Sequence, residues 1–197
     1  WEDKTVRTSI FKTPVIGPVR VAPLNLDGDQ QSDLTVHGGL DKAVYAYPAE
    51  HYQFWQKEFP KFDFRWGSLG ENFTTKGLFE HSTKIGDRLA IGSAEFVVTQ
   101  PRMPCYKLGI RLGDKQAIKT LLQSRKTGFY LAVTKEGIVT AGDPIRLIES
   151  EKDSLSVTDI VDLYAGAVDK PHLLQSAIEL PSLPQSWRDH FRKRLPR

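Results

Sequence analysis

Between residues 13 and 149 the apolar side chains come in short β-branched and aromatic runs, interrupted again and again by Gly or Pro; from about residue 153 the spacing turns helical. Short strands closed by turn residues predict a β-barrel or sandwich core. RLAIG and AEFVVTQ, parted by Gly92 and Ser93, predict a hairpin, and FYLAVT followed by Lys-Glu-Gly and IVTAGD predicts a second, with PIRLIE as a further strand. Two helices are expected within this body. Pro48 suits the first turn of PAEHYQFWQKEF, in which Tyr52, Trp55 and Phe59 share a face. Asp114 precedes KQAIKTLLQS, with Ala117, Ile118, Leu121 and Leu122 in one stripe. Both stripes are expected to be core. In the tail, Ser156 and Asp159 form a capping-box pattern ahead of VTDIVDLY. HLLQSAIEL and QSWRDHFRKRL follow, and three short helices are predicted. The chain therefore reads as mainly β with α, a body over 1–150 and a helical appendage over 151–197.

Composition narrows the partners. No apolar run approaches the ~18 residues of a membrane span, and a net charge of +3 is too small to call for nucleic acid. The final WRDHFRKRLPR holds five basic residues and one Asp, a pattern that ordinarily marks a solvated helix face. Three helices ending in such a run leave a nucleic-acid-binding module as a minor reading. A single cysteine makes no intramolecular disulfide, so a reducing cytoplasm is the expected location. Because the sequence starts at Trp1 rather than Met, a signal peptide ahead of it stays open.

That cysteine, Cys105, stands in QPRMPCYKL, with Pro104 before it and Arg102 and Lys107 within three positions. A lone cysteine is most often a small buried hydrophobe. Cations beside a thiol instead favour the thiolate, which attacks electrophiles and binds soft metals. On these residues alone, nucleophile, metal ligand and redox sensor all remain open. Other stretches set polar groups among glycines: VHGGLDKAV with His37 and Lys42, LGENF with Glu71 and Asn72, and SRKTGFY with Arg125. Each alone is ordinary turn chemistry. No Walker loop, Rossmann glycine pattern, H-E-x-x-H or zinc-spaced Cys/His set competes with them.

Taken in order, VHGGLDKAVYAY, LGENF, IGDRLAIG, QPRMPCYKLGIR and AGD resemble the MOSC domain, named for the C-terminal part of molybdenum-cofactor sulfurases. The tail beginning SVTDIVDLYAG resembles the appendage of its bacterial YiiM-like branch. The resemblance covers essentially the whole chain. It implies a MOSC-type β-barrel core that binds a pterin-based molybdenum cofactor (molybdopterin), with Cys105 as thiolate ligand to the metal. It further implies that His37, Lys42, Asn72, Arg102, Lys107 and Arg125 line the pocket. The implied reaction is two-electron reduction of a small N-hydroxylated compound, such as an N-hydroxylamino nucleobase, to the amine. His37 or Glu71 is the expected proton donor. The chain shows no flavin, haem or iron–sulfur motif, so an external electron-donor protein is expected. The competing reading is sulfur transfer through a Cys105 persulfide. Since the motif-bearing loops lie between His37 and Asp143, a body cut after about Ser150 is expected to keep the cofactor. The hazard is burial of Val157, Ile160, Leu163, Trp187 and Phe191 against the barrel.

Overall fold

A computed structural model describes residues 1–3, 5–32, 38–166 and 171–195. Among the described residues eight strands form: β1 (Val19–Val21), β2 (Val44–Pro48), β3 (Phe73–Thr75), β4 (Arg88–Ile91), β5 (Ala94–Pro101), β6 (Phe129–Lys135), β7 (Gly137–Val139) and β8 (Ile145–Glu149). Six of them make a mixed half-barrel sheet in the order β3-β2-β6-β5-β4-β8, and β1 pairs with β7 apart from it. The parallel pair β2 with β3 needs a long crossover. The segment from Pro48 to Phe73 supplies it and carries helix α1 (Tyr52–Glu58). Register shifts on β5 at Glu95/Phe96 and Val98/Gln100 mark bulges, which bend a strand and help a sheet curl.

The expected β4–β5 hairpin forms around Gly92 and Ser93. The second does not. β6 pairs with β2 and β5, while β7 crosses to pair with β1, Val139 opposite Val19. Gly137 allows this turn, because a Cβ there would lie 2.6 Å from backbone atoms of Ser93. A helix that the sequence did not announce, α2 (Tyr106–Leu112), follows Cys105 directly. α3 (Gln116–Ser124) lies as expected.

β2 is buried along its length, and its alternating residues serve two cores. Tyr45 and Tyr47 point to one face and pack with Tyr52, Trp55 and Phe59 of the α1 segment and Leu108, Ala117 and Leu121 of α2 and α3. Val44 and Ala46 point to the other, with Phe96, Val98, Phe129 and Leu131. The tail helices α4 (Val157–Ala165), α5 (Pro171–Glu179) and α6 (Gln185–Arg192) belong to that second core. The capping box closes as predicted: the Ser156 hydroxyl accepts from Asp159 N–H at 3.1 Å, and Asp159 accepts from Ser156 N–H at 2.9 Å. Val157, Ile160, Leu163, Leu174 and Phe191 are buried in one cluster with barrel strands, and the Trp187 indole donates to Gln100 of β5. Body and tail share a core.

Candidate functional site

The site is built on the face of β2 and β6 opposite the tail. β5 ends at Pro101, and Arg102 follows it with its backbone N–H on the Gly128 carbonyl at 3.2 Å. Met103 and Pro104 lead to Cys105, which holds extended backbone angles at the N-cap of α2, so Lys107 comes up in the first turn of the helix. The run RMPCYK thereby places a cation, a thiol and a second cation along the rim of one cleft, which holds about 590 Å³ of empty space, part of it open to solvent.

Cys105, Arg102, Lys107, Lys42 and Asn72 all line this cleft. Arg102 is only 6 % exposed and Lys107 8 %. The Arg102 guanidinium lies over the Tyr45 ring, 5.3 Å from its centre, and its buried Nη1 has no hydrogen-bond partner. A buried guanidinium nitrogen without an acceptor among the described residues costs free energy. Lys42 stands at the end of a short 3-10 turn (Leu40–Lys42) opened by Gly39, whose φ of 101° favours glycine. Burial lowers the Lys42 pKa, and the charge of Asp41 opposes that shift.

Asn72 is held rather than free to turn. It exchanges two bonds with Tyr45, giving its N–H to the Tyr45 carbonyl at 2.8 Å and accepting the Tyr45 N–H on Oδ1 at 2.9 Å. Its Nδ2 donates to Asp29 at 2.8 Å, and Asp29 pairs in turn with Lys12. Asn72 thus docks the N-terminal segment onto the sheet edge while facing the cleft.

Two expected site residues, Arg125 and Glu71, stand outside the cleft lining. Arg125 does not line the cleft: its guanidinium pairs with Asp162 of α4 and caps α3 through the Leu122 carbonyl. The Glu71 carboxylate is buried and saturated, accepting from the N–H groups of Gly67 at 2.8 Å and Leu69 at 3.1 Å and from the hydroxyls of Thr74 and Tyr52. Four donors hold it in place, away from the cleft lining. His37 lies outside the described residues.

Sequence reasoning missed Tyr45 and Tyr130, which form the floor of the cleft, and the polar wall of Thr8, Ser9, Lys12 and Asp29. Burial pushes the Tyr130 phenol pKa upward, with the Arg102 charge working against that shift and Cys105 adding to it. The phenol therefore keeps its proton at neutral pH beside the thiol. The only signal for it was adjacency, since Tyr130 ends the SRKTGFY stretch.

Chemically, the described residues of the cleft offer a thiol, four ammonium or guanidinium groups and a protonated phenol, with one carboxylate, Asp29, paired with Lys12. Such a donor set suits an anionic ligand carrying a soft metal. Residues 33–146 match the model of the MOSC domain, and residues 155–196 match that of the YiiM-like 3-alpha helix domain. Protein YiiM of Escherichia coli is 34% identical over 197 residues, covering 95% of this chain and 84% of that protein. A protein of Gibberella moniliformis described as a reductase is 29% identical over 181 residues, spanning 89% of this chain and 32% of that longer protein. The crystal structure of YiiM from Geobacillus stearothermophilus superposes with a TM-score of 0.84 at 36% identity, covering 98% of this chain and 94% of that one.

Proposed function

This chain belongs to the MOSC domain family, with a YiiM-like three-helix appendage, and we propose that it is a molybdenum-cofactor-dependent oxidoreductase that reduces N-hydroxylated compounds to amines. The single observation that carries the cofactor reading is the buried, unpartnered Nη1 of Arg102 on the wall it shares with Cys105 and Lys107.

Arg102, Lys107 and Lys42 would hold the pterin's phosphate, Arg102 through charge-assisted hydrogen bonds. The Cys105 thiolate would be the protein ligand to molybdenum, a soft donor for a metal that relatives of this domain are named for. When bound, the cofactor supplies two-electron redox chemistry that no side chain here provides. The overall change balances as R–NHOH + 2 e⁻ + 2 H⁺ → R–NH₂ + H₂O. The electrons come from an external donor protein and the protons reach the cleft from solvent or from His37. Tyr130, which lines the cleft with Cys105, keeps its hydroxyl proton and so could donate a hydrogen bond to a ligand there. Tyr45, held by its hydroxyl on the Thr127 carbonyl at 2.8 Å, supplies the flat face that fixes Arg102. The name of the fungal relative agrees with a reductive activity, and this chain spans about a third of it.

Protein purified without air should contain molybdenum and a pterin. With a chemical reductant it should convert an N-hydroxylamino nucleobase to the amine, with one water released per two electrons. Metal-free protein that accepts labelled sulfur on Cys105 and shows no reductase activity would replace this reading with sulfur transfer.

A further inference from the structure

We propose that the C-terminal appendage fixes Arg102 in the cleft through one ion pair, Arg125 with Asp162, so that these two are positioning residues although neither lines the cleft. The inference rests on the reading above only in taking Arg102 as a cofactor contact.

The connection runs through one loop. Asp162 on α4 accepts from Nε of Arg125, and Nη1 of Arg125 also donates to the Leu122 carbonyl at 2.6 Å, so the side chain ties the end of α3 to the appendage. Both side chains are about three-quarters buried (27% and 28% exposed), which shields the pair from full solvent screening. The next three residues each accept on a main-chain carbonyl, and two of the groups they hold, Tyr45 and Arg102, line the cleft. Lys126 accepts from the Tyr47 hydroxyl at 3.0 Å, Thr127 from the Tyr45 hydroxyl at 2.8 Å, and Gly128 from the Arg102 N–H at 3.2 Å. Arg102 is therefore held twice by this loop, directly at its backbone and through the Tyr45 ring at its guanidinium.

Backbone geometry supplies the second observation. Arg125 sits at φ 60°, ψ 7°, the left-handed region, where a helix C-terminus ordinarily places Gly or Asn. A long side chain there carries strain that glycine would not. The strain is explained if the guanidinium is what the position requires.

The test uses the full-length chain as Arg125→Gly, Asp162→Asn, the double variant and Arg125→Lys. Arg125→Gly removes the pair and relieves the backbone at once, so its melting temperature should stay near that of the wild type. Amide hydrogen exchange at Arg102 should nevertheless quicken about fivefold or more, the lower end of ordinary coupling between sites. Molybdenum and pterin retained after dialysis should fall by a similar factor. Arg125→Lys restores a cation opposite Asp162 and should recover part of both. The double variant should match Arg125→Gly alone, since two members of one pair act as a unit. Unchanged exchange at Arg102 in Arg125→Gly overturns the proposal, as does a double variant equal to the sum of the singles. If the wild type holds neither molybdenum nor pterin, the cofactor reading fails, while the exchange measurement still decides whether the appendage positions Arg102.

Discussion

The guanidinium carbon of Arg102 lies 5.3 Å from the centre of the Tyr45 ring, and a single loop holds both, the Arg102 N–H on the Gly128 carbonyl and the Tyr45 hydroxyl on that of Thr127. One face of the guanidinium is thus occupied by an aromatic ring while Nη1 keeps an unspent donor. Arg102→Lys keeps the charge but loses both the planar stacking and the fork of donors. Cofactor content should fall severalfold with little change in melting temperature, measured side by side on the same preparations. Equal content in variant and wild type would place the cofactor away from Arg102.

Gly128 is the tightest point of that loop. At φ 62°, a Cβ would lie 2.5 Å from the Ala46 carbonyl oxygen and 2.8 Å from ring atoms of both Tyr45 and Tyr47. Gly128→Ala should cost roughly 1–3 kcal/mol by overpacking alone, read as a lowered denaturant midpoint at unchanged m-value. A neutral substitution would mean that β2 and β6 do not approach as closely as described.

Glu71→Gln separates a structural anion from a proton donor. Loss of an acceptor leaves a buried N–H or hydroxyl unsatisfied, worth about 1–3 kcal/mol, so stability should drop. The turnover of the folded fraction should remain. A pH-dependent collapse in turnover without loss of stability would restore Glu71 to the chemistry.

Four of the six tyrosines, Tyr45, Tyr47, Tyr52 and Tyr130, have phenol pKa values raised, foremost by burial. A folded value above the unfolded one, about 10, means that the native state holds the proton longer. Their contribution is complete below pH about 10 and is lost as pH rises from there through the folded values. Ultraviolet titration should show these phenols ionising only as the protein unfolds in alkali. Free ionisation of all six in native protein would contradict the burial of the cleft floor.

Much of this architecture was legible because its signals are local. The capping box at Ser156 and Asp159, the Gly92–Ser93 hairpin and the aromatic stripe of α1 depend on residues a few positions apart. The β7 misreading arose because Gly137–Val139 looks like the return arm of β6, whereas its partner β1 lies more than a hundred residues away in sequence. Helix α2 was hidden by Gly109 in mid-helix, where the Trp1 ring lies 3.4 Å from the position of a Cβ. In the site, Arg102, Cys105 and Lys107 were readable as one run. Tyr45 and Lys12 were not, because only the pairing of β2 and the docking of the N-terminal segment bring them to the thiol. Arg125 was expected in the pocket, but it pairs with Asp162, a residue of the appendage that no local pattern links to it.

The expectation that a body cut after Ser150 keeps the cofactor meets the shared core. Phe191 is fully buried in the cluster that holds Phe96 and Leu131, and Phe191→Ala alone should cost about 3–5 kcal/mol. The cut body should lose cooperative thermal unfolding. A sharp transition with cofactor retained would show that the barrel stands without its helices.

The central claim is that Cys105 is the protein ligand to molybdenum in this cleft. Its most direct measurement is X-ray absorption at the molybdenum edge on wild type and Cys105→Ser, each purified without air and matched for pterin content. A serine oxygen is a poor substitute for a soft donor. The account predicts that one sulfur neighbour disappears from the molybdenum shell in the variant, together with reductase activity, while pterin still binds through Arg102 and Lys107. An unchanged sulfur count with full activity would contradict it.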